Sequence, residues 1–209
     1  MKKQIKNIIF DLGGVILGID YQKTIDSFIA LGAENFQEHY TQMKQDSFFD
    51  DFEKGKISPQ EFLEKLRNAV GYHVSDQQLV DAWNAMLLDL PKENLDFLKM
   101  ISEKYNTYLL SNTNAIHYNE FWRRIEEKFK LKDFSSIFIK EYYSHAIGHR
   151  KPERACFQYV LDDAGLDPNE TLFIDDSEQH LKGSSSLGIE SVQKKKLLDW
   201  TMLDPYIKD

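Results

Sequence analysis

The strongest constraint on how this chain folds is where its short apolar runs stop. Lys6 to Phe10 is β-branched and apolar, too short for a helix, and ends on Asp11-Leu12-Gly13-Gly14. That is the pattern of a buried strand running into a tight loop. Beyond Pro91 the pattern recurs: Thr107 to Leu110 stops on Ser111, a short strand is expected at Ile137 to Ile139, Thr171 to Ile174 stops on Asp175-Asp176, and a last strand lies near Ile189 to Val192. Amphipathic helical stretches alternate with these runs. One passes through Leu95, Leu98 and Ile101, one spans Phe121 to Phe129, one carries Pro152 in its first turn and continues through Phe157 and Leu161, and one surrounds Leu181. Such alternation specifies an α/β fold, a Rossmann-like parallel sheet flanked by helices.

Between about Asp20 and Leu88 the periodicity is helical only. Ser58 can cap a helix with Pro59 at its first position and Glu61 reaching back, and Phe62, Leu63, Leu66 and Val70 then share one apolar face. Ser75 and Gln78 repeat the device ahead of Leu79, Val80, Trp83, Met86 and Leu87. The expected organisation is therefore a core of residues 1–17 and 89–209, with a helical block, residues 18–88, inserted after the first strand. Lys194-Lys195-Lys196 reads as a solvated helix start.

Composition narrows the function classes. Acidic residues outnumber basic ones by 34 to 26, a net charge of -8, which argues against electrostatic binding to nucleic acid or anionic lipid. The single cysteine, Cys156, forms neither an internal disulfide nor a zinc cluster, as expected of a reduced, cytoplasmic protein, and its place on an apolar helix face predicts burial. No run is long enough for a membrane span, and the lysines at the start precede a strand rather than a signal peptide's apolar region.

Four polar elements fall at strand ends or in a loop entering a helix: Asp11, Ser111, Lys151 and the pair Asp175-Asp176. In open parallel sheets ligands bind at that edge. A carboxylate that attacks, a hydroxyl and an ammonium that hold an anion, and further carboxylates that hold a hard cation are the parts phosphoryl transfer needs. Mg2+ takes oxygen ligands, often one or two carboxylates with water and substrate phosphate, which suits Asp11 with Asp176.

These residues resemble the four motifs of the haloacid dehalogenase-like (HAD) hydrolases, over essentially the whole chain. Phe10-Asp11-Leu12-Gly13-Gly14-Val15-Ile16 is similar to the first motif, which implies that Asp11 is the nucleophile that becomes an aspartyl-phosphate. Leu109-Leu110-Ser111-Asn112-Thr113-Asn114 resembles the second, implying that Ser111 and the Asn112 amide bind phosphate. Gly148-His149-Arg150-Lys151-Pro152-Glu153 resembles the third, with Lys151 steadying nucleophile and phosphate. Phe173-Ile174-Asp175-Asp176-Ser177 resembles the fourth, with Asp176 the direct Mg2+ ligand and Asp175 beside it. The helical block would be the family's cap. The Ser-Asn-Thr-Asn, Arg-Lys-Pro-Glu and Asp-Asp patterns and the turn Gly55-Lys56-Ile57-Ser58 resemble the branch of small sugar-phosphate phosphatases acting on α-glucose 1-phosphate. The resemblance thus implies an Mg2+-dependent phosphatase of a small phosphorylated metabolite, a sugar phosphate.

The chain departs from the family pattern at one position. Most phosphatases of the superfamily carry an acidic residue two positions after the nucleophile to protonate the leaving oxygen; here Gly13 stands there, offering only its carbonyl to Mg2+. Losing a positioned acid typically costs about 10² to 10⁴ in rate. An anomeric phosphate, whose leaving hydroxyl is more acidic than an ordinary alcohol, would tolerate the loss, and a hydrated metal or a residue of the cap could also supply the proton. Two other readings stay open on these residues: a catalytically silent phospho-ligand binding protein, and a 2-haloacid dehalogenase, against which the adjacent carboxylates Asp175 and Asp176 count. His117, His145 and His149 lie near the motifs as potential proton donors, with structural roles the blander reading. Phe48, Phe49, Phe52 and Trp83 are read as helical core in preference to pocket lining.

Overall fold

The computed structural model describes residues 4–34, 36–39, 47–71, 73–129 and 134–207. Five strands, β1 (Asn7–Phe10), β2 (Asn106–Ser111), β3 (Lys140–Tyr143), β4 (Thr171–Asp175) and β5 (Glu190–Gln193), form one parallel sheet in the order β3-β2-β1-β4-β5. The helices are α1 (Tyr21–Ala30), α2 (Phe36–His39), α3 (Ser47–Glu53), α4 (Pro59–Val70), α5 (Asp76–Asn84), α6 (Lys92–Ser102), α7 (Ala115–Phe129), α8 (Ser144–Ile147), α9 (Arg154–Ala164) and α10 (Glu178–Ser185).

Side-chain alternation along the strands sorts the core into two layers. Ile8, Phe10, Leu109, Leu172 and Ile174 face one side, where α6 supplies Leu95, Leu98 and Ile101 and α7 supplies Phe121 and Ile125. Ile9, Tyr108, Leu110, Tyr142 and Phe173 face the other, packed against Phe157, Val160 and Leu161 of α9. Cys156 is fully buried in this second layer, as its position on the apolar face requires.

Helices α1 to α5 carry a separate cluster that includes Phe28, Phe49, Phe52, Phe62, Leu66, Leu79 and Trp83. Both expected capping boxes form: Ser58 and Ser75 each accept from the backbone three residues on, while Glu61 and Gln78 reach back. The chain enters and leaves this block along paired segments. Ile19 bridges Leu87 in antiparallel fashion, Asp20 N donates to Met86 O at 2.9 Å and Leu88 N to Gly18 O at 3.0 Å.

Three local expectations are corrected. Ile137 closes a 3-10 turn (Ser135–Ile137) and the strand begins at Lys140, because Ile137 and Phe138 fill the layer under the sheet while Tyr142 and Tyr143 pair with β2. Pro152 precedes α9 by two residues, across a cis Lys151-Pro152 peptide, instead of occupying its first turn. Lys194 begins no solvated helix: no α-helix follows β5 among the described residues, and its side chain is buried over the Trp200 ring, while Lys195 and Lys196 stay exposed. Trp200 in turn stacks on Phe97 and donates its indole N–H to Asn94 at 2.9 Å, and Asn94 donates to the Ile16 carbonyl at 2.8 Å.

Candidate active site

The central strands β2, β1 and β4 end together, and their last residues or the next ones carry the polar groups. Phe10 pairs with both Leu109 and Ile174, so Asp11 and Asp175 emerge level with each other at the sheet's C-terminal edge, with Ser111 one residue further along β2, where the strand order reverses. Asp11, Ser111, Asn112 and Asp176 line one cleft, whose free volume is about 100 Å³.

Lys151 ties this edge together. Its fully buried ammonium lies 2.8 Å from Asp11 Oδ1 and 2.7 Å from Asp175 Oδ2. Burial alone would lower the Lys151 pKa, but the two carboxylates hold it above the ordinary lysine range. Asn112 fixes the backbone that carries it: its side-chain N–H donates to Lys151 O at 2.8 Å, and its carbonyl oxygen accepts from Lys151 N at 2.9 Å. Asp11 Oδ1 also accepts from Leu12 N at 2.7 Å.

The acidic groups are unevenly served. Burial pushes the Asp175 carboxyl up, yet Lys151 and His180 outweigh it and keep Asp175 well below the usual range. His180 Nδ1 lies 2.9 Å from Asp175 Oδ1, and Ser177 N donates to the same oxygen at 2.8 Å. Asp11 is pushed up by burial and by Asp175, and Asp176 by the same two causes to about 6. The Asp176 carboxylate packs on Gly14, where a Cβ would overlap it and where φ is +77°, so glycine is required on both counts. Asp11 and Asp175 share one ammonium with Asp176 beside them, and a divalent cation would balance the excess. The donor set, oxygen-rich with His180 engaged on Asp175, fits a hard ion. Among the described residues, Asp11, Asp175 and His180 also bring one potential ligand atom each within 4.8 Å of one another.

The family follows from comparison with known proteins. The family model of haloacid dehalogenase-like hydrolases matches residues 5–188. The chain belongs to the haloacid dehalogenase-like hydrolases. It is 32% identical over 197 residues, 94% of this chain and 95% of the other, to the D-ribitol-5-phosphate phosphatase of Bacteroides thetaiotaomicron. A wild-type HAD family enzyme of the same organism, crystallised with magnesium and inorganic phosphate, is 40% identical with a TM-score of 0.83, covering 95% of this chain and 98% of that one. A HAD-like family hydrolase from Porphyromonas gingivalis is 30% identical with a TM-score of 0.84, covering 94% of both chains.

Within this HAD fold the helical block contributes Tyr21, Glu53 and Trp83 to the cleft wall. Arg150, one residue before Lys151, reaches Asp50 Oδ1 at 2.5 Å and Glu53 Oε2 at 2.9 Å. Lys54 pairs with Glu153, and Gly55, at φ +66°, lies so close to the His145 carbonyl that a Cβ would overlap it. At Gly13 no positive φ is involved; there a Cβ would meet Ile19 Cγ1 at 2.9 Å, so the chain entering the helical block occupies the space of a side chain.

Of the three histidines near the motifs, only His117 lines the cleft, and both its nitrogens are engaged: Nε2 donates to Trp83 O at 2.9 Å and Nδ1 accepts from Asn114 at 3.1 Å. Burial lowers its pKa to about 4. Phe49 and Phe52 are core, as expected; Trp83 is both core and cleft wall. Sequence reasoning missed Tyr21, Glu53 and His180 and gave Arg150 no role. The turn at Gly55-Lys56-Ile57-Ser58 was the one signal beside Glu53; nothing marked Tyr21 or His180.

Proposed function

We propose that this hydrolase is an Mg2+-dependent phosphatase that transfers the phosphoryl group of a small sugar or sugar-alcohol phosphate to Asp11 and then to water. The observation that carries the reading is the bridge from Lys151 to Asp11 and Asp175 at adjacent strand ends, with Ser111 and Asp176 in the same cleft. Asp11 attacks phosphorus in line. Ser111, the Asn112 amide and Lys151 hold the equatorial oxygens, and Lys151 also orients the attacking carboxylate. Asp11, the Gly13 carbonyl and Asp176 would hold Mg2+, with Asp175 beside them. Bound there, the ion supplies positive charge against the phosphoryl oxygens.

Residues 18–88 act as a cap over the residues 1–17 and 89–209 core, and the polar wall built from Tyr21, Glu53 and Arg150 favours a hydroxylated leaving group. The D-ribitol-5-phosphate phosphatase relative supports the same substrate class. Cytoplasmic metabolites are the natural supply for an enzyme with one buried, free thiol.

The test is phosphate release from a panel of sugar phosphates, polyol phosphates and p-nitrophenyl phosphate, with Mg2+ or EDTA. Release that needs Mg2+ and disappears in Asp11→Asn is expected. Release retained in Asp11→Asn would overturn the assignment, and chloride release from 2-haloacids in EDTA would point to dehalogenation.

A further inference from the structure

We propose that Glu53, carried into the cleft by α3 of the helical block, protonates the leaving oxygen in place of the acid that Gly13 lacks. The proposal rests on the phosphatase reading above.

The position two residues after Asp11 is a glycine, and a Cβ there would crowd the Ile19 side chain at 2.9 Å. A leaving alcohol that needs a proton can take it from another wall of the cleft, and Glu53 is the carboxyl that the helical block places there. Its charge environment suits the task. One guanidinium, Arg150, serves two carboxylates, Asp50 and Glu53, so one negative charge is left over. The Glu53 side chain is 16% exposed and that of Asp50 38%, so ionisation costs more at Glu53. The groups that face it are Asp50 on its own helix, Arg150 and Lys151 on the loop before α9, and the Tyr21 phenol on α1. Burial raises the Glu53 pKa and Asp50 adds to the rise, against the pull of Arg150 and Lys151. The other proton carriers of the wall fit less well. His117 has both nitrogens engaged, His180 holds Asp175, and burial and the neighbouring carboxylates push the Tyr21 phenol far above neutrality.

In the first step the Asp11 carboxylate forms a bond to phosphorus, the bond from phosphorus to the leaving oxygen breaks, and the Glu53 carboxyl proton passes to that oxygen to give the free alcohol. The resulting carboxylate already lies beside Arg150, which offsets its new charge. In the second step water attacks phosphorus, the bond to Asp11 breaks, and the water proton returns to Glu53. Proton and phosphoryl group are then both accounted for.

The experiment compares Glu53→Gln with wild type on p-nitrophenyl phosphate, whose leaving group needs no proton, and on the fastest sugar or polyol phosphate of the panel. The expected result is a kcat loss of about 10² to 10⁴ on the alkyl ester and of less than about tenfold on p-nitrophenyl phosphate, with the basic limb of the alkyl-ester kcat profile removed. Equal losses on both esters, or none on either, would overturn the role of Glu53 while leaving the phosphatase reading intact. Absence of Asp11-dependent release from every ester in wild type would instead overturn the phosphatase reading, and this proposal with it. Asp50→Asn supplies a second measurement should Glu53→Gln fail to fold. Removing that neighbouring charge should move the basic limb for the alkyl ester to lower pH, and an unmoved limb would count against Glu53.

Discussion

Lys151 concentrates much of the site's energetics in one buried ammonium. Removing one partner of a buried ion pair leaves the others uncompensated, at a cost of about 3–5 kcal/mol. Lys151→Met should therefore lose about that much unfolding free energy at neutral pH in EDTA, measured by urea denaturation; a variant as stable as wild type would mean that Asp11 and Asp175 find other compensation. His117 makes a pH prediction. Its folded pKa is about 4 against 6.5 for the free side chain, so the unfolded state binds the extra proton between those values. Its contribution is fully present above about pH 6.5 and is lost as pH falls toward 4, about 3 kcal/mol in all. His117→Gln should flatten that part of the stability profile, and an unchanged slope would assign the loss to other groups. At this scale the sequence was readable where chemistry is local. Asp11, Ser111 and Asp175 end apolar runs, and a strand end fixes where its last side chain emerges. Glu53 and His180 carry no such mark, because their roles come from helices docking across the sheet edge.

At the scale of elements, patterns with a built-in stop signal were readable and those without one were not. Ser58 with Glu61 and Ser75 with Gln78 announced α4 and α5, since side chain and backbone satisfy each other within one turn. Strand β3 was misplaced because Ile137 and Phe138 are as apolar as strand residues while serving as turn filler; only pairing with β2 selects Lys140 to Tyr143. The triple lysine misled for a related reason: Lys194 lays its side chain against Trp200, a contact that sequence spacing does not show. The helical block depends on its aromatic cluster. Phe62 is fully buried and stacks on Phe52 at 4.0 Å, with Trp83 edge-on at 4.8 Å. Phe62→Ala should cost about 3–5 kcal/mol, read by urea unfolding. A loss below about 1 kcal/mol would show that the cluster closes over the cavity.

In the whole molecule, helices α1 to α5 and the sheet edge both contribute to the cleft. The chain crosses between them on the paired segments around Ile19 and Leu87, while Arg150 and Glu153 grip Asp50, Glu53 and Lys54 across the opening. A run of helices after the first strand was legible in the sequence; the ion pairs between α3 and the loop before α9 were not, because they join residues about a hundred positions apart. The carboxylate excess at the sheet edge makes metal binding a property of the folded molecule. Mg2+ at about 100 times its Kd should stabilise the fold by about 2.7 kcal/mol. Asp176→Asn should weaken that gain in a thermal melt, whereas equal melting with Mg2+ and EDTA would remove the ion from the account.

The central claim is that Asp11 itself carries the phosphoryl group between substrate and water. The most direct measurement is rapid acid quench during turnover of substrate with a labelled phosphoryl group, followed by mapping of the labelled peptide. The account predicts label on the peptide that contains Asp11, formed at least as fast as phosphate is released and missing in Asp11→Asn. Steady phosphate release with no label on that peptide at any time would contradict it.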